Sequence, residues 1–382
     1  MQTIVYISGT TLLGGGPEHL YQLVKQLTPQ EWEVVVCTRN DGPYWDKFRS
    51  RGIKVHDLAL RELSLFTLFR LFHVLRGERP ALIHTHGKGP GLYGRFIGKI
   101  LNIPTIHTFH GFHYETLPPL TRWLHLMADN LLSIITNQHI FVSVGEKKRA
   151  QVIRFLNEKN STVIHNGVDY EYIQNLGIDR NAVLKSIGCE DWEQNEILGT
   201  ISRLSPEKGI IDLLSGFAQI RQSEPNLKLI IVGGYPEEHK NYYLKAKALI
   251  KREHLTEHVR ILGYRQDALK ILKCMNFYIS PSLSEGLPIN LLEAFAAGVP
   301  VIATEIPGNK DVLRNSTFGV LSDPDAPKSL ARGIRKMLAL SERERDIIVQ
   351  NAFNRVKDNF SVATMTDKTF RLYRQVLNKA KT

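Results

Sequence analysis

Cysteine is scarce: Cys37, Cys189 and Cys274 are the only three in 382 residues. Three thiols cannot all pair within one chain, and their positions lack metal-ligand spacing. This argues against a disulfide framework, and a reducing compartment is expected. Long apolar runs are missing too. None reaches the ~18 residues that a membrane-crossing helix needs. The opening "TIVYIS" leads straight into a glycine loop without the pattern of a cleavable signal peptide. A cytoplasmic location is therefore expected. Acidic excess is also absent, since Lys+Arg number 49 against Asp+Glu 38, a formal charge of +11. Such a charge calls for a negative partner: nucleic acid, anionic lipid or a phosphorylated small molecule. Zinc-finger spacing and RNA-binding signatures with interleaved aromatics are lacking, so nucleic acid is not expected as a partner.

What is present is a core-forming composition, 43% apolar and 23% charged, in a chain long enough for two domains. Short apolar runs alternate with helical patterns such as "PEHLYQLVKQL". The first half carries "TIVYIS", "WEVVVCT", "ALIHTH", "IPTIHTFH" and "HIFVSV"; the second carries "EILGTISRL", "LKLIIVGG", "VRILG", "MNFYISPS" and "VPVIATEIPG". This alternation predicts an α/β protein with two Rossmann-like, doubly wound parallel sheets. Ligands of such domains sit at the carboxyl ends of strands, so a site in a cleft between two facing domains is expected. The strand pattern lapses around Asn166 and Gly167. The expected limits are residues 1–170 for the first domain and 171–360 for the second, with a terminal helix over 361–382 packing back towards the first.

Four stretches stand at predicted strand ends. In "TTLLGGGPEHL" the glycines Gly14, Gly15 and Gly16 let backbone amides approach a phosphate, although a simple turn explains the loop alone. The spacing is neither G-x-G-x-x-G nor a P-loop. In "SRLSPEKG", Arg203 and Lys208 suit one diphosphate, against an ordinary solvated basic loop. The histidines His84, His86, His107, His110 and His113 are dense enough to suggest a metal. HExxH is missing, however, and no neighbouring carboxylate or cysteine completes a ligand set, so no metal site is assigned. One strand-end histidine contacting a polar substrate is more economical, with the others packed or at the surface. In "SEGLPINLLEAFAAGVP", Glu285 precedes a helix starting near Pro288 and Glu293 falls in its second turn. Helix-start stabilisation by Glu285 beside a solvated Glu293 is the plain alternative to ligand binding.

Together these stretches resemble family-4 glycosyltransferases, retaining enzymes of the GT-B fold. The resemblance rests on "SRLSPEKG", "LIIVGG", "ILGYRQD" and "SPSLSEGLPINLLEAFAAGVPVIATEIPGNKDV", with "GGGPEHL" similar to the family's Gly-Gly-x-Glu loop and "TFHG" to its strand-end histidine. Pro17 stands where the family more often has alanine. The resemblance implies that Glu285 binds hydroxyls of the transferred sugar and Glu293 the ribose of the donor. Amides of Gly286 and Leu287 would approach the diphosphate, and Arg203 and Lys208 would neutralise it. Gly15 and Gly16 would let the first domain close on the donor, His110 would touch the sugar, and Tyr264 and Arg265 would lie near the base. These cations stand in for a metal ion; an Asp-x-Asp motif to hold one is not expected, nor is any other cofactor.

The acceptor is read from residues 61–79, rich in leucine and phenylalanine with Arg61, Arg70, Arg76 and Arg79, and from "PPLTRWLHLMADNLLSIIT" and "EKKRAQVIRF". A basic, apolar helical face suits an anionic membrane surface, while a core-facing helix with exposed arginines is the plain alternative. The expected activity is transfer of a hexose or N-acetylhexosamine from a nucleotide sugar, UDP-linked first and GDP-linked next. The expected acceptor is a glycan or lipid-linked saccharide used in cell-surface polysaccharide synthesis. The alternatives are a soluble transferase with a small-molecule acceptor and a nucleotide-sugar-binding module without turnover.

Overall fold

The computed structural model describes residues 2–27, 31–111, 118–152 and 160–381. The chain forms two compact units, Met1–Gly167 together with Val362–Thr382, and Val168–Ser361.

In the first unit the described strands are β1 (Gln2–Ser8), β2 (Trp32–Thr38), β3 (Lys54–Asp57), β4 (Leu82–His86), β5 (Thr105–Phe109), β6 (Gln138–Phe141) and β7 (Ser161–Val163). They pair in parallel in the order β3-β2-β1-β4-β5-β6-β7. In register, Ile4 of β1 faces Val34 on one side and Leu82 on the other. Both faces of the sheet are covered, which is why the central strands are apolar without alternation. Ile4 and Tyr6 enter one core with Val36, Leu82 and Ile106. Val5 and Ile7 enter the other with Val35, Leu71, Ile83 and Tyr93. The last helix, Val362–Lys381, places Met365, Tyr373, Val376 and Leu377 in the first of these cores.

The second unit holds β8 (Glu196–Ile201), β9 (Leu227–Val232), β10 (Val259–Ile261), β11 (Phe277–Ser280), β12 (Val301–Thr304) and β13 (Val320–Ser322). Their order is β10-β9-β8-β11-β12-β13, again parallel. Leu198, Leu229, Ile231, Ile279 and Ile302 pack there against Leu213 and Phe217 of the helix Ile210–Ile220.

Three strands, β3, β7 and β13, have no counterpart among the predicted runs. Each is a sheet edge of three or four residues. None of the four residues of β3 or the three of β7 is fully buried. So short and exposed an edge presents no apolar run to read. Strand order reverses between β1 and β4, and again between β8 and β11. At such points the connections diverge and open a crevice beyond the carboxyl ends of the strands.

Candidate active site

In the second unit, the loops after β8 and β11 meet at the reversal of strand order. Leu283 N donates to Glu207 O at 2.8 Å. Gly209 turns with φ +64°, and a Cβ there would lie 2.0 Å from Pro281 O, so the contact requires glycine. Across this seam Lys208 Nζ donates to Glu285 Oε1 at 2.6 Å, and Ser282 Oγ donates to the same oxygen at 2.7 Å. The Lys208 and Glu285 side chains are only 17% and 14% exposed. Arg203 stays 50% exposed, with its guanidinium 3.6 Å from Glu207 Oε1.

The helix bearing Glu293 runs Ile289–Ala296 with Pro288 at its N-cap and no acidic residue in its first turn. Glu285 lies in the preceding loop, and Glu293 is half-buried one turn further along. Beneath them is Tyr278 of β11. Burial first, then the charges of Glu285 and Glu293, push its phenol above the ordinary range. Tyr278 is a marker that both carboxylates share one neighbourhood. Its hydroxyl donates to Ile201 O at 3.4 Å, and Asn290 Nδ2 donates to the same carbonyl. The end of β8 is thus tied to the glutamate-bearing helix.

Gly286 and Leu287 are both buried. Gly308 lies beside them: a Cβ on it would come within 2.7 Å of Glu285 O and 2.8 Å of Gly286 O. Ser282, Gly308 and Asn290 support the site although none was singled out in the sequence; all lie inside the stretch that carried the family resemblance. Tyr264 lies over Gly234, where an added Cβ would be 2.4 Å from its ring, and it remains 51% exposed. Arg265 instead forks onto Asp267 at 2.8 and 2.7 Å. Its donors are therefore shared with a carboxylate of its own turn. Asp323-Pro324-Asp325 does have the Asp-x-Asp spacing, contrary to expectation. It follows the edge strand β13, and Asp323 is used locally: Ser329 Oγ donates to its carboxylate at 2.9 Å.

In the first unit, Gly14 caps the helix Gly15–Gln26. A Cβ on Gly14 or Gly16 would meet nothing within 4 Å, so packing does not demand these glycines. His110 follows β5, with Nε2 3.1 Å from Nδ1 of His86 at the end of β4. His19, from the glycine-loop helix, sets its ring 4.9 Å from that of His110. Burial pulls His110 down to about 4. The next residue, Gly111, donates its N–H to Glu146 Oε1 at 2.5 Å, and Val142 N donates to Oε2 at 3.1 Å. Burial pushes the Glu146 carboxyl up to about 8, against those two amides.

His84 bonds Tyr373 at 2.6 Å and Thr108 at 2.7 Å, and His107 bonds Thr85 at 2.7 Å. Both are packed inside the sheet. His113 lies outside the described residues. His19 was not among the histidines weighed in the sequence; its only signal was its place directly after Glu18 in the glycine-loop stretch.

Two sequence models match consecutive parts of the chain: Glycosyltransferase Family 4 over residues 13–172 and Glycosyl transferases group 1 over residues 190–355. The chain belongs to glycosyltransferase family 4. Among curated relatives of this family-4 glycosyltransferase is the Escherichia coli UDP-Gal:alpha-D-GlcNAc-diphosphoundecaprenol alpha-1,3-galactosyltransferase, 25% identical over 98% of both chains. The Staphylococcus aureus capsular polysaccharide biosynthesis glycosyltransferase CapM is 24% identical over 84% of both. HepE of Anabaena, solved with UDP-glucose, superposes with a TM-score of 0.87 at 20% identity, covering 98% of this chain and 100% of HepE. Sucrose-phosphate synthase of Thermosynechococcus elongatus gives 0.82 at 21%, covering 99% and 100%. These likenesses place the transferase in the GT-B fold class.

One surface of the transferase's first unit departs from the ordinary pattern. The helix Pro119–Ile134 buries Asp129 and Ser133 and exposes Leu120, Trp123, Leu124, Met127, Leu131 and Ile134. Asp129 is held by the buried Arg95 at 2.6 Å. Apolar positions three and four apart normally mark the core-facing stripe; here that stripe points outward. The helix Leu65–Glu78 likewise exposes Leu65, Phe66 and Phe69, with the Arg70 guanidinium 5.7 Å above the Phe66 ring. Among the described residues, no helix is long and apolar enough to cross a membrane.

Proposed function

We propose that this glycosyltransferase moves a hexose or N-acetylhexosamine from a nucleotide diphosphate sugar to a lipid-linked saccharide or glycan, with retention and without a metal ion. A UDP-sugar is the first choice of donor and a GDP-sugar the second. The observation that carries the reading is the Lys208–Glu285 pair, 2.6 Å apart where the strand order reverses. A sugar–phosphate bond breaks as negative charge grows on the departing diphosphate, and fixed donors aimed there lower the barrier. Arg203, Lys208 and the amides of Gly286 and Leu287 take that role. Glu285 accepts from hydroxyls of the transferred sugar while Lys208 holds its carboxylate in place. Glu293 binds the ribose. Tyr264 offers an exposed ring to the base, and Arg265, engaged by Asp267, braces that turn. Gly15 and Gly16 admit the donor backbone-first, and His110 meets the sugar near the reacting carbon. The retaining outcome is taken from the family resemblance.

UDP as the carrier is supported by HepE, solved with UDP-glucose, and by the E. coli relative named for UDP-Gal. That relative's diphosphoundecaprenol acceptor and the outward apolar stripe at Trp123 together support a lipid-linked acceptor and a peripheral position on the inner face of the membrane.

Thermal-shift screening against UDP-, GDP-, ADP- and dTDP-sugars tests the donor, since a ligand at 100 times its Kd adds about 2.7 kcal/mol. The same proteins are then assayed for donor hydrolysis and transfer in excess EDTA. Stabilisation by a UDP-sugar with EDTA-resistant turnover is expected. Turnover abolished by EDTA and restored by manganese or magnesium would overturn the metal-free mechanism.

A further inference from the structure

Among the described residues, His19, His86 and His110 form a cluster in which each ring offers one nitrogen within 4.8 Å of the others. They come from three separate elements: the glycine-loop helix, the end of β4 and the residue after β5. The strand reversal brings those elements together. His86 and His110 already stand 3.1 Å apart through Nδ1 and Nε2. Two nitrogens bound tetrahedrally to one ion at ~2.05 Å lie ~3.3 Å apart, so that edge is nearly in place. His19 and His86 are 2% and 4% exposed, and His19 Nδ1 has no hydrogen-bond partner. A buried polar atom without a partner costs stability unless something fills the role. Plain packing accounts for His84, whose two ring nitrogens bond Tyr373 and Thr108, while His107 bonds Thr85 through Nδ1 and leaves its Nε2 unpartnered inside the sheet. Packing leaves His19 Nδ1, beside the His86–His110 pair, unexplained.

We propose that His19, His86 and His110 form a binding site for a borderline transition-metal ion, Zn²⁺, Co²⁺ or Ni²⁺, whose occupancy inhibits transfer. A metal ion takes imidazole in its neutral form, the form a buried histidine favours. Imidazole nitrogens suit these ions and not magnesium, which takes oxygen ligands. Three protein ligands leave a fourth position for water, the arrangement of an open rather than a closed site. The inhibitory part rests on the reading of His110 as a sugar contact: a ring committed to an ion is withdrawn from the donor. The ion therefore competes with the donor sugar for His110 and takes no part in the proposed transfer.

The test uses the full chain stripped with EDTA and titrated with CoCl2, read by the visible absorption of tetrahedral Co²⁺. Saturation at one equivalent is expected. The variants His19→Gln and His110→Gln, each checked for native circular dichroism, should weaken binding by about 10-fold or more, because even outer-shell losses cost that much. ZnCl2 should compete for the site and lower transfer, EDTA should restore it, and MgCl2 should do neither. No saturable spectrum, or affinity unchanged in both variants, overturns the site. Stoichiometric Co²⁺ binding with transfer unaffected overturns the inhibition and with it His110's contact to the sugar, without touching the donor assignment tested by thermal shift.

Discussion

Lys208 Nζ and Glu285 Oε1 lie 2.6 Å apart although 77 residues separate them in the chain. The pair joins the loops after β8 and β11, the two strands between which the sheet of the second unit reverses its order. In the proposed mechanism a cation for the diphosphate and an acceptor for the sugar hydroxyls hold each other before the donor arrives. Neither has to be ordered at the moment of reaction, which is the condition under which electrostatic stabilisation is most effective.

Arg203 and Lys208 should consequently separate in stability while agreeing in activity. Replacement of either by alanine is expected to lower turnover by about 10²-fold or more. Lys208→Ala strands the largely buried Glu285 carboxylate with Ser282 as its remaining partner at Oε1, and should cost roughly 1–3 kcal/mol in urea unfolding. Arg203 is half exposed, so its variant should unfold like the wild type. Normal turnover in both variants would remove them from the mechanism.

Glu285→Gln and Glu293→Gln should differ from each other. If Glu293 holds the ribose, its variant weakens free nucleoside diphosphate and nucleotide sugar by similar factors. If Glu285 holds the sugar, its variant leaves the nucleoside diphosphate nearly untouched and chiefly lowers turnover. Calorimetry with both ligands and initial rates supply the four quantities. Unchanged binding and rates in both variants would return these residues to helix-start stabilisation.

Membrane attachment is expected to depend on the outward apolar stripe together with positive charge. Trp123→Ser, and separately Arg70→Glu with Arg76→Glu, should reduce sedimentation with anionic liposomes while donor hydrolysis persists. The effect should be largest at low salt, where attraction to the surface is least screened. Wild-type protein that stays in the supernatant at low salt would end the idea.

Glu146 makes a prediction about pH. Its carboxyl titrates at about 8 in the folded chain, raised by burial, against 4.5 for the ordinary group. A raised pKa means the folded state binds the proton more tightly. Its contribution is thus complete below 4.5 and is lost as pH rises through 8. Melting temperatures of the wild type and Glu146→Gln, compared from pH 5 to 8.5, should show the wild type losing ground to the variant as pH rises. A constant difference would mean that Glu146 is ionised throughout.

The sequence by itself determined the two sheets and the family. Runs such as "TIVYIS" and "LKLIIVGG" are buried on both faces, and a strand buried on both faces must be apolar along its whole length. It also placed Glu285 before a helix and Glu293 within it, because Pro288 marks a helix start locally. Partnerships were beyond its reach. Periodicity carries no information about which loop meets which, so the Lys208–Glu285 pair and the fork of Arg265 onto Asp267 appear only once the strands are ordered. The edge strands β3, β7 and β13 were illegible because three or four residues are too few to show a period, and neither β3 nor β7 has a buried residue to mark it. The helix Pro119–Ile134 shows the limit most plainly: its spacing fixed an apolar stripe, but only packing decided that Asp129, held by Arg95, turns inward and the stripe faces out. His19 joined His86 and His110 for the same reason, since a crossover in the fold, and nothing near it in the chain, brings them together.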